Sequence, residues 1–589
     1  MGTEELSKRT TINIQEKANL IWAIADKLVG TYKPHEYGNV VLPMCVIKRF
    51  SDTLVKTKPK VLEVNEMLDK RGLLVKDGFL RDASGYDFYN TSPFLSLEDL
   101  LSDPDNIADN FRSYLNHFSN NVIDIIEKFD FDKEITKLDH NGILFNVISE
   151  FCTKKAYMGA DEISAVDMGY IFEELVRKFS ESYDEQAGAH FTARDIIYLM
   201  AEILVAPNRK KISEEGLTAT MYDMAMGTSQ MLDCLSEKLY DIDPNAQLTE
   251  FGQELNEQTF AIAKSNMLIK GGDAENMKQG NTLSDDKFDG YTFDYIISNP
   301  PFGIEWKNEK SAVEAENKRG DAGRFGAGLP KIDDSQQLFV LNGIAKLKDN
   351  GRMAIIQNGS ALFNGEAGSG CSKIRGYILE HDWLEAIIQI PTDMFYNTSI
   401  TTYIWVITKN KDAERTDKVQ LINASKCYQK RRKPIGKKRN DFTDECIDLI
   451  TKAYLEFTDK SYSENGLVVE SKVKDRYDFK FRKVTVERPV TDAEGNPVLV
   501  KGKPQADSDK RDTEIIPWKE SVDDYMNKNV YPYAPDAWID KKKTKIGYEI
   551  PFTREFYKYV KPRTSEDIYK HLQELDAQEQ ALMAKIIGK

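Results

Sequence analysis

Two hydrophobic patterns divide the chain. Over roughly the first 155 residues, apolar side chains recur at helical spacing, as in "ANLIWAIADKLVG" (18–30), and predict helices. Between about residues 160 and 425, short runs rich in β-formers, such as "FDYIISN" and "TTYIWVIT", alternate with helical patterns. That alternation predicts an α/β domain built on a doubly wound, mostly parallel sheet.

The pattern beyond residue 455 is less regular. Residues 491–512 are polar and turn-rich, and residues 565–589 predict a final helix. Apolar side chains recur on that helix at three- and four-residue steps, at Ile568, Leu572, Leu575, Leu582 and Ile586. Such a heptad-like stripe packs either on a partner or on its own domain. We predict three domains, with bounds 1–157, 158–455 and 456–589.

The composition is that of an ordinary globular protein, with 41% hydrophobic and 30% charged residues among 589. The six cysteines are scattered without a CxxC pair, so we expect no metal site and no disulfide framework, as in a reducing cytoplasm. No apolar run approaches the roughly 18 residues of a membrane span. Because the net charge is −15, any bound nucleic acid must be held by a local basic patch or by a partner.

One turn carries a specific chemical signal. In "FDYIISNPPFGIEW" (293–306), a predicted buried strand is followed by Pro300 and Pro301, which have no N–H to donate and end the ladder. The turn therefore projects from the carboxyl edge of the sheet, where open α/β sheets bind their ligands.

This turn has the chemistry to hold a planar amine. The side-chain oxygen of Asn299 and the carbonyl of Pro300 would accept the N–H bonds of the exocyclic amine of adenine, which favours a nitrogen lone pair aimed at an activated methyl group. Pro300 and Pro301 stiffen the backbone, and Phe302 would stack on the base for about 1–3 kcal/mol. We predict these four as catalytic residues. An RNA adenine or a protein glutamine amide would fit the same clamp.

Three further positions suit a nucleoside cofactor. Asp223 precedes a small-residue turn, Gly227, Thr228 and Ser229, that leads into a predicted helix and lets backbone N–H groups approach a ligand. Glu254 ends the second predicted strand, where an acid commonly binds the ribose hydroxyls. Asn281 precedes the next long strand and could bond an adenine edge. Taken singly, the turn after Asp223 is equally an ordinary βα turn, whereas Glu254 alone indicates a solvated loop acid and Asn281 alone only a turn residue.

In combination these segments resemble the methylation (modification) subunits of type I restriction–modification systems, which use S-adenosylmethionine and form N6-methyladenine in DNA. "SNPPF" matches their catalytic motif, "GQELN" their ribose-binding region and "GNTL" a segment usually written Gly-Asp-Thr-Leu. "GAHFTARDI" (188–196) is similar to the motif that covers the methionine end of the cofactor. The resemblance thus adds cofactor contacts at Ala189, His190, Phe191, Thr192, Ala193 and Arg194.

The chain departs from this family at the Gly turn. Ser229 and Gln230 stand where the family usually has glycines and crowd the backbone approach, and Ala193 replaces a proline. Asn281 replaces an aspartate, although a neutral amide still donates and accepts at an adenine edge. These changes bear on cofactor affinity more than on reaction type. If they abolish binding, the chain is an inactive DNA-binding scaffold.

The resemblance also implies partners. These are double-stranded DNA, a specificity subunit that reads the DNA sequence, and a restriction subunit, with two copies of this chain per specificity subunit. The sequence has no GxxxxGK[ST] phosphate loop, so ATP-driven steps would belong to another chain. The N-terminal helical domain would contact DNA or partners, and the last helix would dock on the specificity subunit.

Two polar segments remain open. The basic run "QKRRKPIGKKR" (429–439) is either a solvated loop or a DNA contact. Residues 307–332, charged in the first half and Gly-rich in the second, predict a long mobile loop beside the proline turn.

Overall fold

The structure is a computed structural model. It describes the chain except residues 1–16, 18, 34–35, 165–166, 170, 173, 176–191, 560–561 and 588–589, and omits the side chains of 585–587. The chain forms two compact units, Met1–Ile550 and Pro551–Lys589.

The N-terminal part is helical, as predicted. Its helices are Gly38–Leu54, Lys58–Lys70, Asp77–Ser84, Ile107–Asn116, Asn120–Glu127, Phe131–His140 and Leu144–Phe151. Gly38–Leu54 is apolar on most of its surface and is buried almost throughout, because the shorter amphipathic helices surround it. Its Arg49 donates to the carbonyl of Ile163 at 2.6 Å and so ties these helices to the segment that leads into the α/β domain.

A ten-stranded sheet forms the centre of the molecule. Its strands are β1 Thr218–Asp223, β2 Gln247–Glu254, β3 Met277–Gln279, β4 Phe293–Ser298, β5 Leu347–Asn358, β6 Leu384–Gln389, β7 Thr402–Thr408, β8 Lys418–Lys426, β11 Lys460–Glu464 and β12 Leu467–Asp475. The strand order is β11-β12-β8-β6-β7-β5-β4-β1-β2-β3. Strands β1 to β5 pair in parallel, and β7 enters antiparallel between β5 and β6. This confirms the predicted mostly parallel α/β fold.

Helices cover both faces of this sheet. They are Arg194–Val205, Arg209–Glu215, Gln230–Ile242, Glu257–Ile269, Gln336–Ala345, Ser360–Phe363, Gly370–Glu380 and Asp444–Glu456. The chain runs outward from β1 to β3 and then crosses back to β4 on the other side of β1. The strand order therefore reverses between β1 and β4. A crevice forms at such a reversal, next to the carboxyl ends of the strands.

The loop prediction for residues 307–332 was wrong, and the basic run at 429–439, for which a loop was one of two alternatives, is not a loop. The basic run forms a hairpin of β9 Gln429–Ile435 and β10 Lys438–Asp441. Residues 307–332 contain helix Lys310–Asn317 and a 3-10 turn, Gly320–Ala322. That helix buries only Val313 among its residues, so its hydrophobic pattern was too weak to predict it.

The sheet continues past the predicted boundary at residue 455 through β11 and β12. A second, antiparallel sheet follows, made of β13 Lys480–Glu487, β16 Asp512–Pro517 and β17 Trp538–Tyr548, with helix Val522–Asn529. The polar segment around residue 500 carries only a two-residue hairpin, β14 Leu499–Val500 and β15 Lys503–Pro504. The division into three domains stays a prediction.

The second unit contains helices Phe552–Glu555 and Ser565–Ile587, which confirms the predicted final helix. Four apolar side chains of the predicted stripe are exposed, at Ile568, Leu572, Leu575 and Leu582. None of the helices in the described part of the chain has the length and apolar character that a membrane crossing needs.

Candidate active site

The carboxyl ends of β1 and β4 are joined by side chains. Asp223, the last residue of β1, is fully buried, and its Oδ1 accepts from the Ser298 hydroxyl at 2.6 Å and from the Ala225 N–H at 3.0 Å. Its Oδ2 is buried and has no hydrogen-bond partner among the described residues. Burial raises the pKa of this carboxyl to about 7, against the lowering effect of the two hydrogen bonds.

The turn after β1 folds against the end of β2. Gly227 takes a left-handed conformation with φ of 53°, and its N–H donates to Glu254 Oε2 at 2.9 Å. The N–H of Met226 donates to the Gln253 carbonyl at 3.1 Å. Ser229 has φ of 72°, and its buried Oγ bonds to nothing in the described part of the chain. An L-residue in this region is strained, which is why glycine suits the position better.

Glu254 is placed by these same contacts. Its Oε1 accepts from the N–H of Asn256 at 2.8 Å while Oε2 holds Gly227, and the side chain is only slightly exposed. The carboxylate therefore has a fixed orientation at the rim of the pocket. The apolar side chains of Leu255, Ile304 and Phe339 line the same pocket as Glu254.

The pocket brings together five of the residues singled out in the sequence, Gly227, Glu254, Asn281, Asn299 and Pro301. They come from four segments that are far apart in the chain. They meet because each follows a strand whose carboxyl end lies at the same edge of the sheet.

Asn281 is held by a contact that sequence reasoning missed. Its Nδ2 donates to Glu309 Oε1 at 2.8 Å, and its Oδ1 accepts from the Leu283 N–H at 2.9 Å. Glu309 comes from the 307–332 segment, which Arg324 fastens to the carbonyl of Thr282 at 2.6 Å. The segment predicted as a free loop is therefore a wall of the pocket. The sequence signal that could have pointed to Glu309 is the group of acidic residues in the first half of this segment.

In the proline turn, the side-chain nitrogen of Asn299 is hydrogen-bonded, and its side-chain oxygen has no partner among the described residues. Asn299 Nδ2 donates to Thr192 Oγ1 at 2.7 Å, whereas Oδ1 is buried and without a partner among the residues described. Pro300 is buried, and Phe302 is half-buried against the main core. Beyond the turn, Trp306 is buried, and its indole N–H donates to the Lys331 carbonyl at 2.8 Å.

The "GAHFTARDI" motif is described only from Thr192 onward. Ala189, His190 and Phe191 lie outside the described residues. Ala193 is buried and immediately precedes helix Arg194–Val205. The guanidinium of Arg194 lies 3.4 Å from Glu237 on a neighbouring helix and does not line the pocket.

Asp195 and Lys438 form a second pair that sequence reasoning missed. Lys438 Nζ lies 2.9 Å from Asp195 Oδ2, which also accepts from the Phe442 N–H at 2.7 Å. Burial raises the pKa of Asp195, and the ammonium opposes that rise. The pair fastens the β9–β10 hairpin to the first turn of the helix that follows Thr192. Nothing in the local sequence couples two residues so distant in the chain.

Comparison with known proteins agrees with this geometry. Residues 164–491, more than half of the 589, match the N-6 DNA Methylase family, and residues 17–151 match the HsdM N-terminal domain. The chain belongs to the N-6 DNA methylase family. It is an adenine-specific DNA methyltransferase of the type I modification-subunit class, as the sequence resemblance predicted.

Relatives of this methylase are spread over archaea and bacteria. The type I restriction enzyme MjaIX methylase subunit of Methanocaldococcus jannaschii is 26% identical over 461 residues, covering 75% of this chain and 77% of the relative. The MpnII methylase subunit of Mycoplasma pneumoniae is 25% identical over 457 residues, covering 70% and 79%. The type I methyltransferase subunit from Streptococcus thermophilus has the same fold, with a TM-score of 0.60, 24% identity, and coverage of 79% and 97%.

Proposed function

We propose that this methylase transfers a methyl group from S-adenosylmethionine to N6 of an adenine turned out of double-stranded DNA. The observation that carries the proposal is the unpartnered, buried Oδ1 of Asn299. A buried acceptor without a donor costs about 1–3 kcal/mol, so such a group is retained where a ligand completes it. The exocyclic N–H₂ of adenine is a donor of the right kind.

The pocket residues fit S-adenosylmethionine. Glu254 offers carboxylate oxygens to a ribose, and Asn281 and Glu309 offer polar atoms to an adenine edge beside Ile304 and Phe339. Two further buried acceptors lie nearby, Asp223 Oδ2 and Ser229 Oγ, and have no partner in the described structure. When bound, this cofactor supplies a methyl group activated by a sulfonium.

The chain itself would contribute orientation and stacking. Asn299 Oδ1 and the Pro300 carbonyl accept the two N–H bonds of the target amine, which favours a pyramidal nitrogen whose lone pair is no longer delocalised into the ring and points at the methyl group. Thr192 holds the Asn299 amide so that its oxygen, and not its nitrogen, faces the amine. Phe302 stacks on the base, which offsets part of the few kcal/mol that base flipping costs. No strong base is needed, because the proton leaves after methyl transfer.

We further propose that the methylase acts in the cytoplasm within a type I assembly. Two copies would associate with one specificity subunit, which selects the DNA sequence, and a restriction subunit would join them. The N-terminal helices would contact DNA or partners. The exposed apolar stripe of helix Ser565–Ile587 supports docking on the specificity subunit.

The test is to co-express the methylase with the specificity-type protein encoded beside it and to map N6-methyladenine across the host DNA. Modification of one bipartite sequence throughout the genome is expected. An assembled complex with no modified adenine would contradict the proposal.

One observation favours a second candidate, an inactive DNA-binding scaffold. Ser229 and Gln230 occupy the Gly turn, and Ser229 keeps a strained left-handed backbone there. S-adenosylhomocysteine binding, measured by calorimetry, separates the two, because a scaffold would not bind it. Transfer from a radiolabelled cofactor to RNA or to a glutamine amide would identify another amine acceptor.

A further inference from the structure

The β9–β10 hairpin is a concentration of positive charge on an acidic protein. Five of its basic side chains are exposed and form no ion pair within 4.0 Å with any residue the structure describes: Lys430, Arg432, Lys433, Lys437 and Arg439. The whole chain carries a net charge of −15. A protein that concentrates uncompensated cations in this way places them where a polyanion binds.

The hairpin is held in place at its turn and along β10. At the turn, the Lys437 N–H donates to the Tyr396 carbonyl at 2.8 Å. On β10, Lys438 is buried and ion-paired with Asp195, and the Arg439 N–H donates to the Asp393 carbonyl at 2.8 Å. Most of β9 is exposed to solvent, whereas β10 carries the contacts to the rest of the protein. A backbone that is already held in place lowers the ordering cost of binding a charged partner.

These contacts connect the hairpin to the candidate active site. Asp195, which pairs with Lys438, lies in the first turn of the helix that begins after Thr192 and Ala193. Thr192 in turn accepts the hydrogen bond from Asn299. One ion pair and one hydrogen bond, on residues three positions apart in the chain, thus link the β9–β10 hairpin to the predicted amine clamp.

We infer that the β9–β10 hairpin binds the DNA sugar–phosphate backbone next to the target adenine. The inference rests on the proposed function, since it takes duplex DNA as the substrate. Lys430 and Arg432 are two positions apart on β9 and therefore share one face of the strand. Duplex DNA carries about one charge per 1.7 Å of axis, so more than one phosphate lies within reach of this face. Such contacts position the duplex and carry no sequence information.

The experiment measures binding of a fluorescein-labelled random-sequence DNA duplex to the full chain as a function of salt. In the test variant, Lys430 and Arg432, which share one face of β9, become Gln, which removes two charges. The matched control changes Lys501 and Lys503 to Gln on the exposed β14–β15 hairpin, which also removes two charges. Each phosphate contact contributes about 0.9 to the slope of log association constant against log salt, so the test variant is expected to lose about 1.8. The control is expected to keep the slope of the unchanged chain.

The outcomes are decisive. The inference is overturned if the salt slope of the test variant equals that of the unchanged chain, or if the control loses as much slope as the test variant. It is also overturned if the unchanged chain does not bind the duplex at low salt. The thermal unfolding midpoint of each variant shows that the fold is retained. Failure of the proposed function would give a different result: the unchanged protein would bind duplex DNA, but its assembly would leave adenine unmodified. If the unchanged assembly methylates DNA while the test variant binds as tightly as before, the inference alone fails.

Discussion

Asn299 Nδ2 donates a 2.7 Å hydrogen bond to Thr192 Oγ1, and this contact occupies the nitrogen end of the amide. The nitrogen is engaged by the threonine, so the oxygen is left as an acceptor, buried and unpartnered among the described residues. The two residues are 107 positions apart, and they belong to separate predicted motifs. Four predictions follow from this arrangement and from the pocket beside it.

Replacing Asn299 with Ala removes the predicted acceptor of the target amine. We expect methyl transfer to fall about 100-fold or more, as when a single catalytic hydrogen-bonding group is deleted elsewhere, while cofactor binding is retained. The measurement is single-turnover transfer of radiolabelled methyl to duplex DNA by the assembled complex. Asn410→Ala serves as control, because its exposed side chain donates to Asn350 and bonds to no other side chain in the described part of the protein. Unchanged turnover in Asn299→Ala would remove the clamp from the mechanism.

Thr192→Val keeps the shape of the side chain but cannot accept the hydrogen bond from Asn299. The amide is then free to rotate, and we expect the turnover rate to drop about 3- to 10-fold, in line with one net hydrogen bond. Thr192→Ser keeps the hydroxyl and is expected to stay near the wild-type rate. Steady-state kinetics separate the effects. A change in KM alone, or equal losses in both variants, would show that Thr192 does not position Asn299.

Glu254→Gln tests the predicted ribose contact. The substitution keeps an oxygen for the Gly227 N–H but removes the charge, and a hydrogen bond to a charged group contributes about 1.5–3 kcal/mol. We expect S-adenosylhomocysteine to bind at least about tenfold more weakly by isothermal titration calorimetry. The control is Glu257→Gln, an exposed acid at the start of the next helix. If both variants bind equally well, Glu254 does not contact the cofactor.

Asp223 predicts a pH dependence of stability. Burial raises its pKa from 3.8 in the unfolded chain to about 7 in the folded protein. The folded state therefore holds this proton more tightly. Its contribution to stability is complete below pH 3.8 and is lost as the pH rises to about 7, a change of at most about 4 kcal/mol.

Asp223→Asn isolates this effect. The amide oxygen can still accept from Ser298 and Ala225, but the side chain no longer ionises. We expect the thermal unfolding midpoint of the wild type, relative to this variant, to decrease between about pH 4 and pH 7, the interval between the unfolded and folded pKa values. Asp349→Asn, at an exposed position, is the matched control and should show no such trend. A constant difference across the pH range would mean that Asp223 is ionised in the folded protein throughout.

Much of the fold could be predicted because its signals are local. The apolar runs of β1, β4, β5, β6 and β7 are short, rich in β-formers and bounded by turns, and each became a strand in the sheet. The helical N-terminal part and the final helix have clear periodicity. Helix Lys310–Asn317 and the β9–β10 hairpin were not predicted, because charged residues dominate both and the apolar pattern that identifies an element is absent.

In the candidate site, too, the features with local sequence signals could be predicted and the contacts between distant residues could not. The sequence by itself determined which chemical groups lie at the sheet edge, because strand ends and turns have local signatures. These groups are the amide and prolines of the 299–302 turn, the acids at the ends of β1 and β2, and the small-residue turn at Gly227. Only the tertiary structure decided which groups meet. Thr192 with Asn299, Asn281 with Glu309, and Asp195 with Lys438 are pairs that no spacing in the chain relates. They form because strands from distant segments end at one edge, where burial leaves each polar group to find its partner across the fold.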